Sequence, residues 1–417
     1  MDIWHIRGGR RLEGACFVQG SKNASLPIIA ASVICPARTE LMNVPQLKDV
    51  DAALRILRHL GCVAEQRKND VYIDSTYFSC SAIPHSLMEE MRSSVIFMGA
   101  LLARCGEARL SLPGGCQLGK RPIDLHLSAL RQMGAEIEED GQEIYCKARK
   151  LHGAEISLPF ASVGATENIM LAACTAKGKT LIHGAAREPE IVALQDFLCS
   201  LGADVTGAGT DTVVIDGMRP QKHAVCRIIP DRIVASTIAC AAAACGGKVE
   251  LRGVIPEHFS TVLYFLNKSG CDIMSKNRTV SISSQGRLKA PGHISTQPYP
   301  GFPTDAQPVL MAALLKAEGC TRITENIFEN RYRQASELRR LGADIVIEGR
   351  EAEIWGVECL RGTSLNATDL RGGAAMLIAG LAADGETVVF DDGHIGRGYE
   401  RFDVRLRAIG ADIFLEY

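Results

Sequence analysis

The residues with the clearest chemical potential stand together at Pro113-Gly114-Gly115-Cys116-Gln117-Leu118-Gly119-Lys120-Arg121-Pro122. Glycines let backbone approach a ligand closely. Lys120 and Arg121 can hold phosphate or carboxylate oxygens. A thiol among cations is more acidic than a free one, and more reactive. An ordinary solvated turn is the alternative reading of the same residues. The loop comes close to a nucleotide-binding P-loop, with Gly114, Gly119 and Lys120 at the right spacing. That motif needs Ser or Thr next, to hold magnesium, and here Arg121 and Pro122 follow. A nucleotide triphosphatase is therefore disfavoured.

Six elements of one kind must position this loop. An amphipathic helix ending in Leu-Gly-Ala or a variant recurs at Leu60-Gly61-Cys62, Met133-Gly134-Ala135, Leu201-Gly202-Ala203, Ser269-Gly270-Cys271, Leu341-Gly342-Ala343 and Ile409-Gly410-Ala411, about 70 residues apart. Each glycine fits a left-handed helix C-cap. Alternating, edge-type strands follow, as in Ala203-Asp204-Val205-Thr206. Earlier in each unit lies a helix that is apolar nearly all round: 24–35, 94–104, 165–176, 235–245, 307–315 and 372–383. Such helices belong in a core. Three units can pack their apolar helices together, so six units make two globes, and a cleft between globes is a common small-molecule site. The first strand, 4–7, finds its simplest partner in the C-terminal half. That gives domains 22–229 and 1–21 with 230–417.

Bulk properties agree with a soluble, metabolite-binding protein. The 417 residues are 47% hydrophobic, enough for two large cores. A net charge of −2 argues against general nucleic-acid binding. Fifteen scattered cysteines include no Cys-x-x-Cys pair, so neither structural zinc nor a disulfide framework is expected. Most should be small buried hydrophobes. No signal peptide or membrane span is read, which points to a reducing cytoplasm.

The repeats together with the Pro-Gly-Gly-Cys loop resemble the enolpyruvyl transferases, specifically those that act on UDP-N-acetylglucosamine. The resemblance extends to Gly20-Ser21-Lys22-Asn23-Ala24, Ser162-Val163-Gly164-Ala165-Thr166-Glu167-Asn168, Ala186-Arg187-Glu188-Pro189-Glu190, Pro303-Thr304-Asp305, Phe328-Glu329-Asn330-Arg331, Asp369-Leu370-Arg371 and Arg397-Gly398-Tyr399-Glu400. It covers the whole chain, in order. The shikimate-pathway relatives share the repeats and lack the Gly-Gly-Cys loop. The implied fold is α/β, a two-domain inside-out α/β barrel, each domain built from three βαβαββ-like units.

The implied reaction moves the enolpyruvyl group of phosphoenolpyruvate to the sugar 3-hydroxyl, releases phosphate, and commits carbon to peptidoglycan. It proceeds by addition and then elimination. Cys116 resembles the general acid, which also adds covalently to phosphoenolpyruvate and is the target of fosfomycin. Asp305 resembles the carboxylate facing the sugar hydroxyl. The resemblance assigns Lys22, Asn23, Arg92, Arg121, Arg371 and Arg397 to phosphoenolpyruvate, with Lys22 and Arg397 also counted as catalytic. To the nucleotide sugar it assigns Arg92, Arg121, Pro122, Ile123, Asp124, Leu125, Ser162, Val163, Gly164, Asp305 and Ile327. Glu188, Asp231, Arg331 and Asp369 support them. No metal and no cofactor are implied, and a monomer is expected. A non-catalytic nucleotide-sugar-binding paralogue and transfer to shikimate phosphate are the alternatives. Departures from the common pattern are Ser93-Ser94 after Arg92, Val234-Ala235-Ser236-Thr237, and Gln334 where a histidine is frequent.

Overall fold

Each of the six amphipathic helices ends in the same hydrogen-bonded motif. The glycine N–H donates to the carbonyl three residues back, and the next residue's N–H to the carbonyl five back, as in Gly61 to Arg58 and Cys62 to Leu57. The same pairs join Gly134 to Arg131 and Ala135 to Leu130, and likewise through Gly202, Gly270, Gly342 and Gly410. All six glycines have φ between +90° and +101°, a region that penalises a Cβ. This is the Schellman arrangement, in which an apolar residue after the glycine packs back on the helix. Leucine occupies the earlier contact position every time: Leu57, Leu130, Leu198, Leu266, Leu338 and Leu406, each fully buried. The recurrent phrase is thus Leu-x-x-x-Gly followed by Ala or Cys, three positions longer than Leu-Gly-Ala.

The computed structural model describes all residues except 92, 112–122, 218, 220 and 221. They form two compact units, one of residues 20–111 with 123–229 and one of 1–19 with 230–417. Each unit holds three four-stranded sheets, and all six sheets share one plan. In the first unit, Glu155–Ser157 pairs parallel with Lys179–His183, which pairs antiparallel with Thr212–Asp216, which pairs antiparallel with the edge strand Asp204–Thr206. The first sheet of that unit borrows its parallel strand from the unit's far end: Ala224–Arg227 lies beside Arg38–Met42. The other unit is closed the opposite way. Asp2–Arg7 inserts between Glu386–Asp391 and Asp412–Glu416, and Leu12–Phe17 runs parallel to Gly247–Arg252.

Each unit buries three helices that are apolar on nearly every face. These are Lys22–Ala31, Phe97–Cys105 and Val163–Ala173 in one, and Arg232–Cys245, Gln307–Ala313 and Leu370–Ala382 in the other. Sheets and amphipathic helices surround them, which makes each unit an inside-out α/β barrel of three βαβαββ repeats. Four of the helices start two or three residues before the apolar runs do, because a polar residue caps each: Ser21, Ser162, Asp231 and Asp369. The unusual Val234 and Ser236 are accommodated within the third of these helices. Val234 is fully buried and Ser236 Oγ donates to the Arg232 carbonyl at 2.7 Å.

Burial of cysteines is less complete than expected. Cys16, Cys35, Cys62, Cys146, Cys174, Cys240 and Cys271 are buried, but Cys105, Cys199 and Cys359 are exposed. Burial pushes the Cys62 thiol up to about 11 and Cys146 to about 12, which leaves them poor thiolates.

Candidate active site

In the 230–417 unit, three separated motifs meet at Asp305. Pro303 leads into a single tight turn, Thr304–Ala306, that sets Asp305 just ahead of a buried helix. Arg331 reaches it from the loop between Cys320–Thr324 and Ala335–Arg340 of the same repeat: Nη2 donates to Asp305 Oδ1 at 3.0 Å, and Nε and Nη2 donate to the Thr304 carbonyl at 3.2 and 3.1 Å. Arg371, in the first turn of Leu370–Ala382, donates to Asp305 Oδ2 through Nη2 at 3.0 Å and Nε at 3.3 Å. Both guanidiniums are buried, while the Asp305 side chain is 31% exposed. Buried charge is costly unless paired, so the two cations demand the carboxylate. For Arg371, burial acts to lower the pKa, but Asp305, Tyr399 and Asp231 outweigh it and the guanidinium is held above its ordinary range.

Asp369 has two duties. Its Oδ1 accepts from the Arg371 and Gly372 N–H groups, capping the helix that carries Arg371, and it lies 3.8 Å from Arg331 Nη1. Asp231 caps Arg232–Cys245 through the Ile233 and Val234 N–H groups. Arg397 ends the turn Ile395–Arg397 and is half-buried. Ile327 is fixed by its N–H, which donates to Glu325 Oε1 at 2.8 Å.

Sequence reasoning missed the residues that tie these motifs together. Buried Glu325 accepts from Thr304 Oγ1, from Thr296 Oγ1 and from the Ile327 and Phe328 N–H groups. It joins the Asp305 turn to the Ile327 loop. Gln19 accepts from the Glu400 N–H and donates to the Gly398 carbonyl, while its own carbonyl accepts from the Asp231 N–H. It thereby pins the Arg397 loop to the start of the Arg232–Cys245 helix.

In the 20–229 unit, the assigned residues gather at helix N-termini. Ser21 Oγ accepts from the Ala24 N–H at 3.2 Å, so Lys22 and Asn23 open the first buried helix. Lys22 Nζ pairs with buried Asp49 at 3.2 Å. Ser162 caps Val163–Ala173 through the Ala165 N–H at 3.3 Å, placing Val163 and Gly164 in its first turn. A Cβ on Gly164 would lie 3.1 Å from His126 Cε1, so glycine lets the imidazole pack against the backbone there. His126 follows Ile123, Asp124 and Leu125, which open the helix Asp124–Gln132. Asn168 Oδ1 accepts from the Gly99 N–H, so its Nδ2 donates to His126 Nδ1 at 2.7 Å and the ring's proton sits on Nε2. Burial lowers the His126 pKa to about 4, so the ring is neutral.

The Val163–Ala173 helix is also tied to the Glu188 loop. The Ala186 N–H donates to Thr166 Oγ1 at 3.0 Å. Glu188 precedes Pro189–Leu201 and is buried beside Glu167 and Glu190. Burial, with Glu190 and Glu188 nearby, raises the Glu167 pKa well above its ordinary value. The side chains of Arg92, Cys116, Arg121 and Pro122 lie outside the described residues. Among the described residues, no three His, Cys, Asp or Glu side chains gather as metal ligands. No helix among them is long and apolar enough to cross a membrane.

The family model for EPSP synthase (3-phosphoshikimate 1-carboxyvinyltransferase) matches residues 6–406. UDP-N-acetylglucosamine 1-carboxyvinyltransferase 2 of Caldanaerobacter subterraneus subsp. tengcongensis is 48% identical over 413 residues, 99% of each chain. The chain belongs to the UDP-N-acetylglucosamine 1-carboxyvinyltransferase family. Its relative of that name in Geobacter metallireducens is 44% identical over the same share. Among solved structures, the enolpyruvyl transferase NikO of Streptomyces tendae is similar with a TM-score of 0.89 at 25% identity, covering 99% of this chain and 98% of that one. EPSP synthase of Acinetobacter baumannii shares the fold, with a TM-score of 0.79 at 21% identity over the full length of both chains. The resemblance seen in the motifs is thus matched along the whole carboxyvinyltransferase chain.

Proposed function

We infer that the protein transfers the enolpyruvyl group of phosphoenolpyruvate to the 3-hydroxyl of UDP-N-acetylglucosamine and releases phosphate, the first committed step of peptidoglycan synthesis. The observation that carries this is the end-to-end match, 48% over 99% of the chain, to a transferase of that name. The reaction balances in two stages. In the first, the sugar oxygen bonds to C2 of phosphoenolpyruvate while C3 gains a proton. In the second, C3 loses a proton, the C2–O bond to phosphate breaks, and the double bond returns. We assign Cys116 as the proton donor to C3, able also to add to C2. Asp305 takes the proton of the sugar hydroxyl.

The remaining roles follow from charge. Lys22, Asn23, Arg92, Arg121, Arg371 and Arg397 hold the phosphate and carboxylate of the donor, which needs several converging cations. Ser162, Val163 and Gly164 offer donors at a helix N-terminus, a favoured place for the diphosphate. Ile123, Asp124, Leu125, Pro122 and Ile327 shape the nucleotide-sugar site. Glu188, Asp231, Arg331 and Asp369 hold these groups in place. We propose that residues of both units serve the same pair of substrates. Both are polar anions of the cytoplasm, and we propose that the protein works there as a monomer.

Purified protein with both substrates should release phosphate and yield UDP-N-acetylglucosamine enolpyruvate, read by mass spectrometry. A parallel reaction with shikimate 3-phosphate should yield nothing. Product in the shikimate arm alone would replace the acceptor named here.

A further inference from the structure

Tyr399 belongs to the Arg397-Gly398-Tyr399-Glu400 motif, of which the chemistry above uses only Arg397. Its side chain is buried, and three hydrogen bonds define what its hydroxyl does. Thr237 Oγ1 donates to the Ile233 carbonyl at 2.8 Å, which uses the threonine's one proton. The 3.0 Å contact between Thr237 Oγ1 and Tyr399 Oη must therefore run from tyrosine to threonine. Tyr399 Oη then presents only lone pairs to Arg371, whose Nη1 donates to it at 3.2 Å. The other edge of the same guanidinium, Nε and Nη2, donates to Asp305 Oδ2. The guanidinium carbon also lies 5.5 Å from the Tyr399 ring centroid. Burial raises the Tyr399 pKa against the opposing pull of Arg371, so the hydroxyl keeps the proton it donates.

Phenylalanine would fill the same space and stack on Arg371. It could not accept from Nη1. We propose that Tyr399 is a positioning residue for the transfer reaction. Through the chain Arg371 to Tyr399 to Thr237 to the Ile233 carbonyl, it fixes the plane of the Arg371 guanidinium and so aims the Asp305 carboxylate. This rests on the reading of Asp305 as the base. Tyr399 touches no reacting atom in this scheme, and Thr237 acts one step further out.

Steady-state kinetics of Tyr399→Phe, Thr237→Val and Thr237→Ser test the chain. Tyr399→Phe should lower kcat about tenfold, the size of one hydrogen bond to a charged group. KM for UDP-N-acetylglucosamine should change less than about threefold, because the groups proposed to hold its nucleotide and diphosphate are untouched. Thr237→Val should lower kcat about threefold and Thr237→Ser, which keeps the hydroxyl, should restore it. The double variant Tyr399→Phe with Thr237→Val should be no worse than Tyr399→Phe, since both cut one chain. A Tyr399→Phe kcat within twofold of wild type, or equal losses for Thr237→Ser and Thr237→Val, overturns the proposal. Wild type that forms no product sinks the reading of Asp305 instead. The tether itself is then judged by NMR of arginine-labelled, substrate-free protein. Arg371 Hε exchange should quicken at least tenfold in Tyr399→Phe, and unchanged exchange overturns the tether.

Discussion

In the 20–229 unit, the buried helices Lys22–Ala31 and Val163–Ala173 begin at serines, each accepting from one N–H at 3.2 to 3.3 Å. In the 230–417 unit, Arg232–Cys245 and Leu370–Ala382 begin at aspartates, each accepting from two N–H groups at 2.8 to 3.1 Å. Repeats of one plan thus differ at the position where a helix meets charge. A neutral cap leaves the positive end of the helix dipole available, whereas an aspartate compensates it. The serine-capped helices carry Lys22, Val163 and Gly164, three of the residues proposed to meet anions. The aspartate-capped helices stand among arginines, with Arg331 and Arg371 already committed to Asp305. The two serine-capped N-termini thus keep their helix dipoles uncompensated by a cap charge, while the two aspartate-capped ones are compensated from within.

The largest test of this contrast uses pH. His126 lies beside the serine-capped helix and has a pKa of about 4, depressed by burial. In the unfolded chain its pKa returns to about 6.5, so between those values the unfolded state binds the extra proton and stability falls as pH falls. The loss should reach roughly 3 kcal/mol by pH 4 and should be muted in His126→Gln. Hydrogen exchange at pH 7 and 4.5 should show the loss in residues 123–229; equal acid sensitivity in His126→Gln would break the assignment. Glu167, raised by burial, works with opposite sign: its contribution is complete below the ordinary glutamate pKa and is lost as pH rises through the raised one.

A second test exchanges the caps. Ser162→Asp keeps a capping oxygen and adds the charge found in the other unit. Binding of UDP-N-acetylglucosamine should weaken about thirtyfold by calorimetry, on the order of 2 kcal/mol of repulsion toward a diphosphate. Unaltered affinity would show that this N-terminus receives no anion. Asp231→Ala removes a cap from the charge-balanced unit and should cost about 1 to 2 kcal/mol in denaturant unfolding. Asp231→Ser should recover part of this, because a hydroxyl can still cap.

The smallest effect belongs to what the units share. The first buried position of the central strand is Thr39, Ala108, Thr180, Val249, Thr321 or Thr387 along the six repeats, paired with Ile73, Cys146, Ile215, Ile282, Ile354 and Ile6. Thr39, Thr180 and Thr387 hold buried Oγ1 atoms without a partner among the described atoms. Val249 shows that valine fits this site. Thr180→Val should therefore stabilise the protein by about 1 kcal/mol, since an unmade buried hydrogen bond is a penalty. A lower melting temperature would mean that the threonine is satisfied.

Local signals made the repeats legible. Leucine, glycine and a small apolar residue terminate a helix through contacts within six positions, so six helix ends can be read directly. Four of the six helix starts lie two or three residues ahead of the apolar run, because a polar cap and not the run sets the beginning. Asp305, Arg331 and Arg371 could be named from their motifs, but their ion pairs could not be deduced from spacing. Thr237 and Tyr399 are 162 residues apart, and Gln19 reaches Gly398 across 379. Glu325 is not legible for another reason: a buried carboxylate serving backbone N–H groups resembles any surface glutamate in sequence. Gln334, flagged as a departure, is fully buried, with its Nε2 3.7 Å from Met311 Sδ and its Oε1 without a partner among the described atoms.

The proposal that the 230–417 unit holds the base is tested most directly by Asp305→Asn. This change keeps the shape of the side chain and removes its ability to take a proton. Calorimetric affinity for UDP-N-acetylglucosamine should stay within about tenfold of wild type, while formation of the enolpyruvyl product should fall by roughly a hundredfold or more. Near-normal product formation by Asp305→Asn would contradict the account, because the proton would then leave by a route that does not use the carboxylate held by Arg331 and Arg371.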